Sequence, residues 1–155
     1  MKANKLTLLA LGLWALTVVV FAVMMFRGNP VDSTDDRIAL GLKPEDRAIV
    51  HQGMTNFFGR VTELNLALAE GKTDQVAEIA SKAGGAALAN IPSRVMLQLP
   101  VDFKKAGFVV HGQFDDLAEQ ARAGAEAPQI QRGLVAILKN CSDCHTRYKV
   151  VEQTP

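Results

Sequence analysis

Leu6 through Phe26 form a run of 21 residues without a charged side chain, and no other stretch restricts the fold of this 155-residue chain so tightly. At 1.5 Å of rise per residue, a helix of that length covers about 30 Å, the thickness of a bilayer's hydrocarbon core. A cleaved secretory signal has a shorter apolar stretch, about 7–15 residues, and ends at a small-residue cleavage site. Here Met24, Met25 and Phe26 are bulky where small residues are needed, and Phe21 to Pro30 offers no such site. The expectation is therefore an uncleaved transmembrane anchor over residues 1–27, in preference to a removed signal peptide. Lys2 and Lys5 precede the run and only Arg27 follows it, which places the N-terminus on the cytoplasmic side and the rest of the chain outside the cytoplasm.

The formal charge of +1 comes from 17 basic and 16 acidic residues. Setting aside Lys2, Lys5 and Arg27 leaves 14 basic against 16 acidic, so the exported part is near −2 and has no basic run. Nucleic-acid binding needs a concentrated basic patch and is excluded as an expectation. Asp32, Asp35, Asp36, Glu45 and Asp46 follow the anchor and read as a solvated linker and a helix start.

Residues 28–43 are polar, with Gly28, Pro30 and Gly41, and read as a linker. Beyond it the apolar pattern is helical, with few strand signals. Pro44 suits a first helical turn, and Glu45 and Asp46 suit the positive end of a helix dipole. Val50, Met54, Phe57, Val61, Leu64 and Leu68 then step by four and three, one stripe of a helix over residues 44–69. A second helix is expected over 73–90, with Val76, Ile79, Ala83 and Ala87 on its face. Gly84-Gly85 weakens it, since each glycine costs about 1 kcal/mol relative to alanine. A loop over 91–100 leads to a third helix over 101–123, striped by Phe103, Ala106, Val110, Phe114, Leu117 and Ala121. A fourth, over 128–150, carries Ile130, Leu134, Ile137, Cys141, Cys144, Tyr148 and Val151. Four helices of about twenty residues with short connections predict an all-α, antiparallel four-helix bundle.

The only two cysteines are Cys141 and Cys144, and His145 follows at once. Cys-x-x-Cys-His is the attachment signature of c-type haem. On a helix, positions i, i+3 and i+4 share a face, so two thiols can join the haem vinyl groups while the imidazole ligates the iron from the same side. A thioredoxin-like redox pair needs a βαβ context. A structural zinc site needs four ligands, and a disulfide between residues three apart on a helix is strained. One covalent haem c, held by Cys141, Cys144 and His145, is the expected cofactor. Only ten residues follow His145, none of them Met or His, so a sixth iron ligand must come from upstream.

Asn140 to Lys149, with Tyr148 and Lys149 after the histidine, resembles the C-terminal signature of the class II cytochromes c, the cytochrome c prime family. Lys43-Pro44-Glu45-Asp46 and Phe58-Gly59-Arg60 resemble stretches of that family's first helix, and the likeness spans roughly residues 43–150. It implies a four-helix haem domain over 44–155 in one of two forms. A six-coordinate form with a methionine ligand from the first helix implies electron transfer; a five-coordinate form implies binding or sensing of nitric oxide or carbon monoxide. The chain departs from the pattern in having His51-Gln52 where the family has Arg-Gln, and in its anchor. With that anchor, the expectation is a single-pass protein of the inner membrane with its haem domain on the periplasmic side. The expected partner is a redox protein, in the setting of a membrane complex, and a homodimer is an allowed assembly. No paired carboxylates or nucleophile constellation points to an enzyme, and Glu63 reads as surface.

Met54, on the inward stripe, is the expected sixth ligand, set against the role of a methionine that only fills core space. His51, about 100° from Val50 on the helical wheel, is its rival and fits a helix surface or haem edge. His111 reads as a partly exposed histidine, Tyr148 as packing on haem or helix, Arg147 and Lys149 as solvated charges, and Trp14 as part of the anchor.

Overall fold

A computed structural model describes residues 4–153. Lys2, used above to orient the anchor, lies outside the described residues, as do the last two residues of the expected haem domain. The chain is mostly helical. The first helix, α1 (Lys5–Arg27), has 23 residues, none of them buried. A helix apolar on every side that packs into no core has the character of a membrane span, and α1 is long and apolar enough to be one.

The expected linker is not extended coil. Pro30–Val31 (β1) and Ile38–Leu42 (β2) pair antiparallel, and β2 pairs parallel with a C-terminal strand, β3 (Tyr148–Glu152), giving the order β1-β2-β3. Ala39, Leu40, Gly41 and Leu42 are all buried. The all-α expectation is therefore corrected by a small sheet. The acidic residues of this region are not simply solvated either: Asp35 pairs with Arg37 at 2.8 Å and with Lys149 at 3.3 Å.

α2 spans Pro44–Ala69, as expected, with proline in its first turn. The second expected helix breaks: α3 (Thr73–Ser81) ends before Gly84, and a 3₁₀ turn covers Gly85–Asn90. At Gly84 an added Cβ would overlap the Asp115 carboxylate, which accepts the Gly85 N–H at 2.8 Å. The glycines permit a close approach that alanine would not. The expected loop holds a short helix, α4 (Ser93–Gln98), whose Val95 is buried beside Leu99. α5 (Val101–Arg122) and α6 (Ala127–Arg147) complete the helices, joined through Gly124 at φ 79°.

Two cores result. Leu64, Val76, Ala80, Phe114, Leu117, Leu134 and Ile137, from α2, α3, α5 and α6, fill the larger. Leu40, Leu42, Val95, Leu99 and Tyr148 fill the smaller, at the end where α1 joins. Asp46 is buried there. The Arg94 guanidinium donates to its Oδ1 at 2.9 Å and the Gln98 amide to its Oδ2 at 2.8 Å, tying α4 to the first turn of α2.

The Gln98 amide, aided by Arg94, holds the Asp46 carboxyl below the usual carboxylate range. Its stabilisation is thus present above the unfolded pKa of about 3.9 and fades as pH falls through the lower folded value. Asp46→Asn should cost about 1–3 kcal/mol at pH 7, the scale of a hydrogen bond to a charged group. The gap between wild type and variant should narrow below about pH 4, as read by urea unfolding across pH.

Candidate haem site

α6 carries the Cys-x-x-Cys-His run to its last turns because its apolar residues step regularly from Ile130 through Leu134 and Ile137, all fully buried, to Cys141. Cys141 packs at the edge of the larger core and Cys144 at the edge of the smaller, so the motif straddles the seam between them. His145 is exposed. Thr146 and Arg147 complete the helix. Tyr148 opens β3 and buries its ring against Phe103, edge to face with centroids 5.3 Å apart. Tyr148 thus sits in the smaller core, against which Cys144 of α6 also packs. Lys149, expected in solvent, is 14% exposed and donates to Thr34 Oγ1 at 2.9 Å. Arg147 lies 5.6 Å from the centre of the Tyr148 ring.

A cleft of about 360 Å³ opens at this seam. Cys141, Cys144, His145 and Leu138 of α6 form one wall. Met54, Phe57, Phe58 and Val61 of α2, and Phe103, Ala106, Gly107, Val110 and Phe114 of α5, form the others. The lining is almost wholly apolar. It remains partly wet: Met54 is 37% exposed, Phe58 75% and Leu138 42%. Nothing lies within 4 Å of the position a Cβ would take at Gly107, so α5 leaves its side of the cleft open.

These walls fit a haem. The ring is large, flat and apolar, and suits a cleft of aromatic and aliphatic side chains. The donor set suits its periphery and iron: two thiols and an imidazole on α6, and the Met54 thioether on α2. A bare metal ion is less well served, because among the described residues no three His, Cys, Asp or Glu side chains converge.

The sequence-predicted residues separate clearly. Cys141, Cys144, His145 and Met54 all line the cleft, whereas His51 is exposed and does not. His111 is buried, contrary to expectation. Its Nδ1 lies 2.8 Å from the Ala83 carbonyl oxygen and 3.0 Å from that of Gly84. Carbonyls only accept, so Nδ1 carries the proton and donates. His111 also packs on Phe57, which lines the cleft, at 4.8 Å between ring centres. Phe58 and Ala106 enter the sequence pattern only through a family likeness and a helix stripe, and Gly107 not at all; for the α5 wall the small pair Ala106-Gly107 was the available signal.

No family model, curated protein or solved structure matches the chain.

Burial pushes the Cys141 thiol up; burial, with the neighbouring Cys141, does the same for Cys144. The thiolate is the reactive form, so in the haem-free chain both cysteines should alkylate slowly at pH 7. The rate of iodoacetamide labelling, followed by mass spectrometry, should still be climbing beyond about pH 8.5, the ordinary thiol value.

Proposed function

We propose that this chain is a membrane-anchored, mono-haem c-type cytochrome of the cytochrome c prime type, a four-helix haem domain that transfers electrons and is not an enzyme. The observation that carries the reading is the Cys141-x-x-Cys144-His145 run on the wall of an apolar cleft whose facing helix presents Met54. The haem domain stands on the periplasmic side of the inner membrane, and its partner is a redox protein of that membrane.

In this reading Cys141 and Cys144 hold the haem by thioether bonds, each thiol adding across a vinyl group. His145 of α6 and Met54 of α2 would hold its iron. When bound, the haem supplies a one-electron ferric–ferrous couple. Phe57, Val61 and Phe103 would shield it from water, Phe58 would cover its open side, and Ala106 and Gly107 would leave it room. Thioether ligation of iron raises the potential, which suits a carrier. A second reading rests on the exposure of Met54 and on the otherwise apolar α2 wall. If Met54 stands aside, the iron is five-coordinate and open to nitric oxide or carbon monoxide.

Protein matured with a c-type haem assembly system should keep its haem through denaturation and extraction with acidified organic solvent; release of the haem sinks the covalent reading. Cys141→Ala with Cys144→Ala should release it.

Met54 decides between the two readings. The ferric wild type should be low-spin, and Met54→Ala should turn it high-spin by absorption and magnetic circular dichroism. A wild type already high-spin selects the gas-binding reading. A low-spin spectrum unchanged in the variant transfers the ligand role to His51.

A further inference from the structure

We infer that the haem domain is mounted rigidly on its membrane helix, not tethered to it, so that the cleft stands at a fixed, low height over the lipid surface and serves a redox protein embedded in the same membrane. The partner half of this inference rests on the electron-transfer reading; the mounting does not.

Three contacts make the mount. Gly28, the first residue after α1, has φ 63°, and an added Cβ would overlap the backbone of Gln98, Leu99 and Pro100. The chain therefore leaves the anchor pressed against the junction of α4 and α5, in a conformation that glycine adopts readily. Asn29 follows at once. Its N–H donates to the Gln98 carbonyl at 2.7 Å, its carbonyl accepts from Gly41 N–H at 3.1 Å, and its side-chain amide donates to the Gly41 carbonyl at 2.9 Å. Finally, the Lys104 ammonium donates to the Met25 carbonyl at 2.6 Å. The last carbonyls of a helix have no partner within it and lie at the negative end of its dipole. A lysine from α5 thus caps α1.

The fixed height follows from where these contacts fall. Phe103 and Gly107, which line the cleft, are one residue before and three after Lys104; three residues of helix are about 5 Å. Cys144 and His145 sit in the last turn of α6, which ends at the same sheet that β1 joins. As free coil, the 16 residues from 28 to 43 would have given the domain a reach of about 20–24 Å (5–6 Å × √16). Folding them into β1 and β2 removes that reach. A cleft whose near wall, at Phe103 and Gly107, is held within about a turn of the anchor's end meets most readily a group that stands at that height in the membrane plane.

The test uses the full chain in supported bilayers and in native membranes. Neutron reflectometry should place the domain directly against the headgroups. Insertion of a flexible Gly-Ser segment between Arg27 and Gly28, or Lys104→Met, should let it move away. A hydrated gap already present in the wild type overturns the mount, whether or not haem is bound. With haem content verified spectroscopically, the insertion should slow reduction of the haem by membrane-bound donors several-fold and leave reduction by dithionite unchanged. Equal rates with membrane donors overturn the partner assignment. Protein that sits on the headgroups but carries no haem leaves the mount standing and fails the electron-transfer reading instead.

Discussion

The parallel pairing of β2 with β3 is the contact on which the working end of the molecule depends. Ile38 lies opposite Tyr148 and Leu42 opposite Glu152, and the Gln153 N–H extends the ladder to the Leu42 carbonyl at 2.8 Å. Parallel strands need a long crossover, and here the crossover is the whole run of helices from α2 to α6. The pairing therefore closes a loop of about a hundred residues, a closure whose entropy must be offset by burial. Leu40 and Leu42, fully buried against Val95, Leu99 and Tyr148, supply it. Because β3 begins one residue after α6 ends, the same pairing fixes the last turn of α6. Cys144 and His145 are thus held from both sides, by the helix before them and the strand after.

Against that well-packed end stands a cleft that protein side chains leave unfilled. The larger core is closed around Leu64, Phe114, Leu134 and Ile137, each without measurable exposure. Beside that core the same helices leave Met54, Phe58 and Leu138 partly in water. Apolar surface costs roughly 25 cal/mol per Å² to expose, and contiguous exposed patches generally mark binding sites. Ala106 and Gly107 sharpen the point. Larger residues there would have helped to close the gap, and the chain has small ones. A rigid apolar group between α2, α5 and α6 would remove the exposure without moving the helices.

Much of this was legible in local sequence, and the exceptions have physical causes. Both ends of α2 follow from Pro44, the acidic first turn and the periodic stripe. The break after α3 lies at Gly84-Gly85, where the pattern was already weak. The strands were hidden in two ways. β2 is buried on both faces, so Ile38-Ala39-Leu40-Gly41-Leu42 shows no alternation. β3 keeps the helical phase of α6, because Cys144, Tyr148 and Val151 are spaced by four and three, and that spacing masked the β-branched pair Val150-Val151. Asp46 and His111 were misjudged because burial of a polar group depends on partners far along the chain. Arg94 is 48 residues from Asp46, and Ala83 is 28 from His111. At the site, the motif's spacing singled out Cys141, Cys144 and His145, and the first helix's stripe together with the family resemblance singled out Met54, with His51 as its rival. The α5 wall needs the fold, since Phe103 and Ala106 look like any other stripe residues.

The position of the cleft follows from counting passes. After β2 the chain runs away from the anchor in α2, returns through α3, the 3₁₀ turn and α4, runs out again in α5 and returns in α6. The return is marked by contacts: α4 ends where Asn29 bonds Gln98, and α5 begins where Lys104 reaches Met25. Four alternating passes bring a chain back to the end from which it started. A motif at the C-terminal end of the fourth pass must then lie beside the anchor that precedes the first. Had the same run of residues stood at the start of α6, it would lie about 30 Å farther from the end of α1, the length of a 20-residue helix. The parity of the passes, the terminal placement of Cys141 to His145 and the conversion of residues 28–43 into a sheet all act in one direction. Each keeps the wall that carries Cys141 to His145 close to α1.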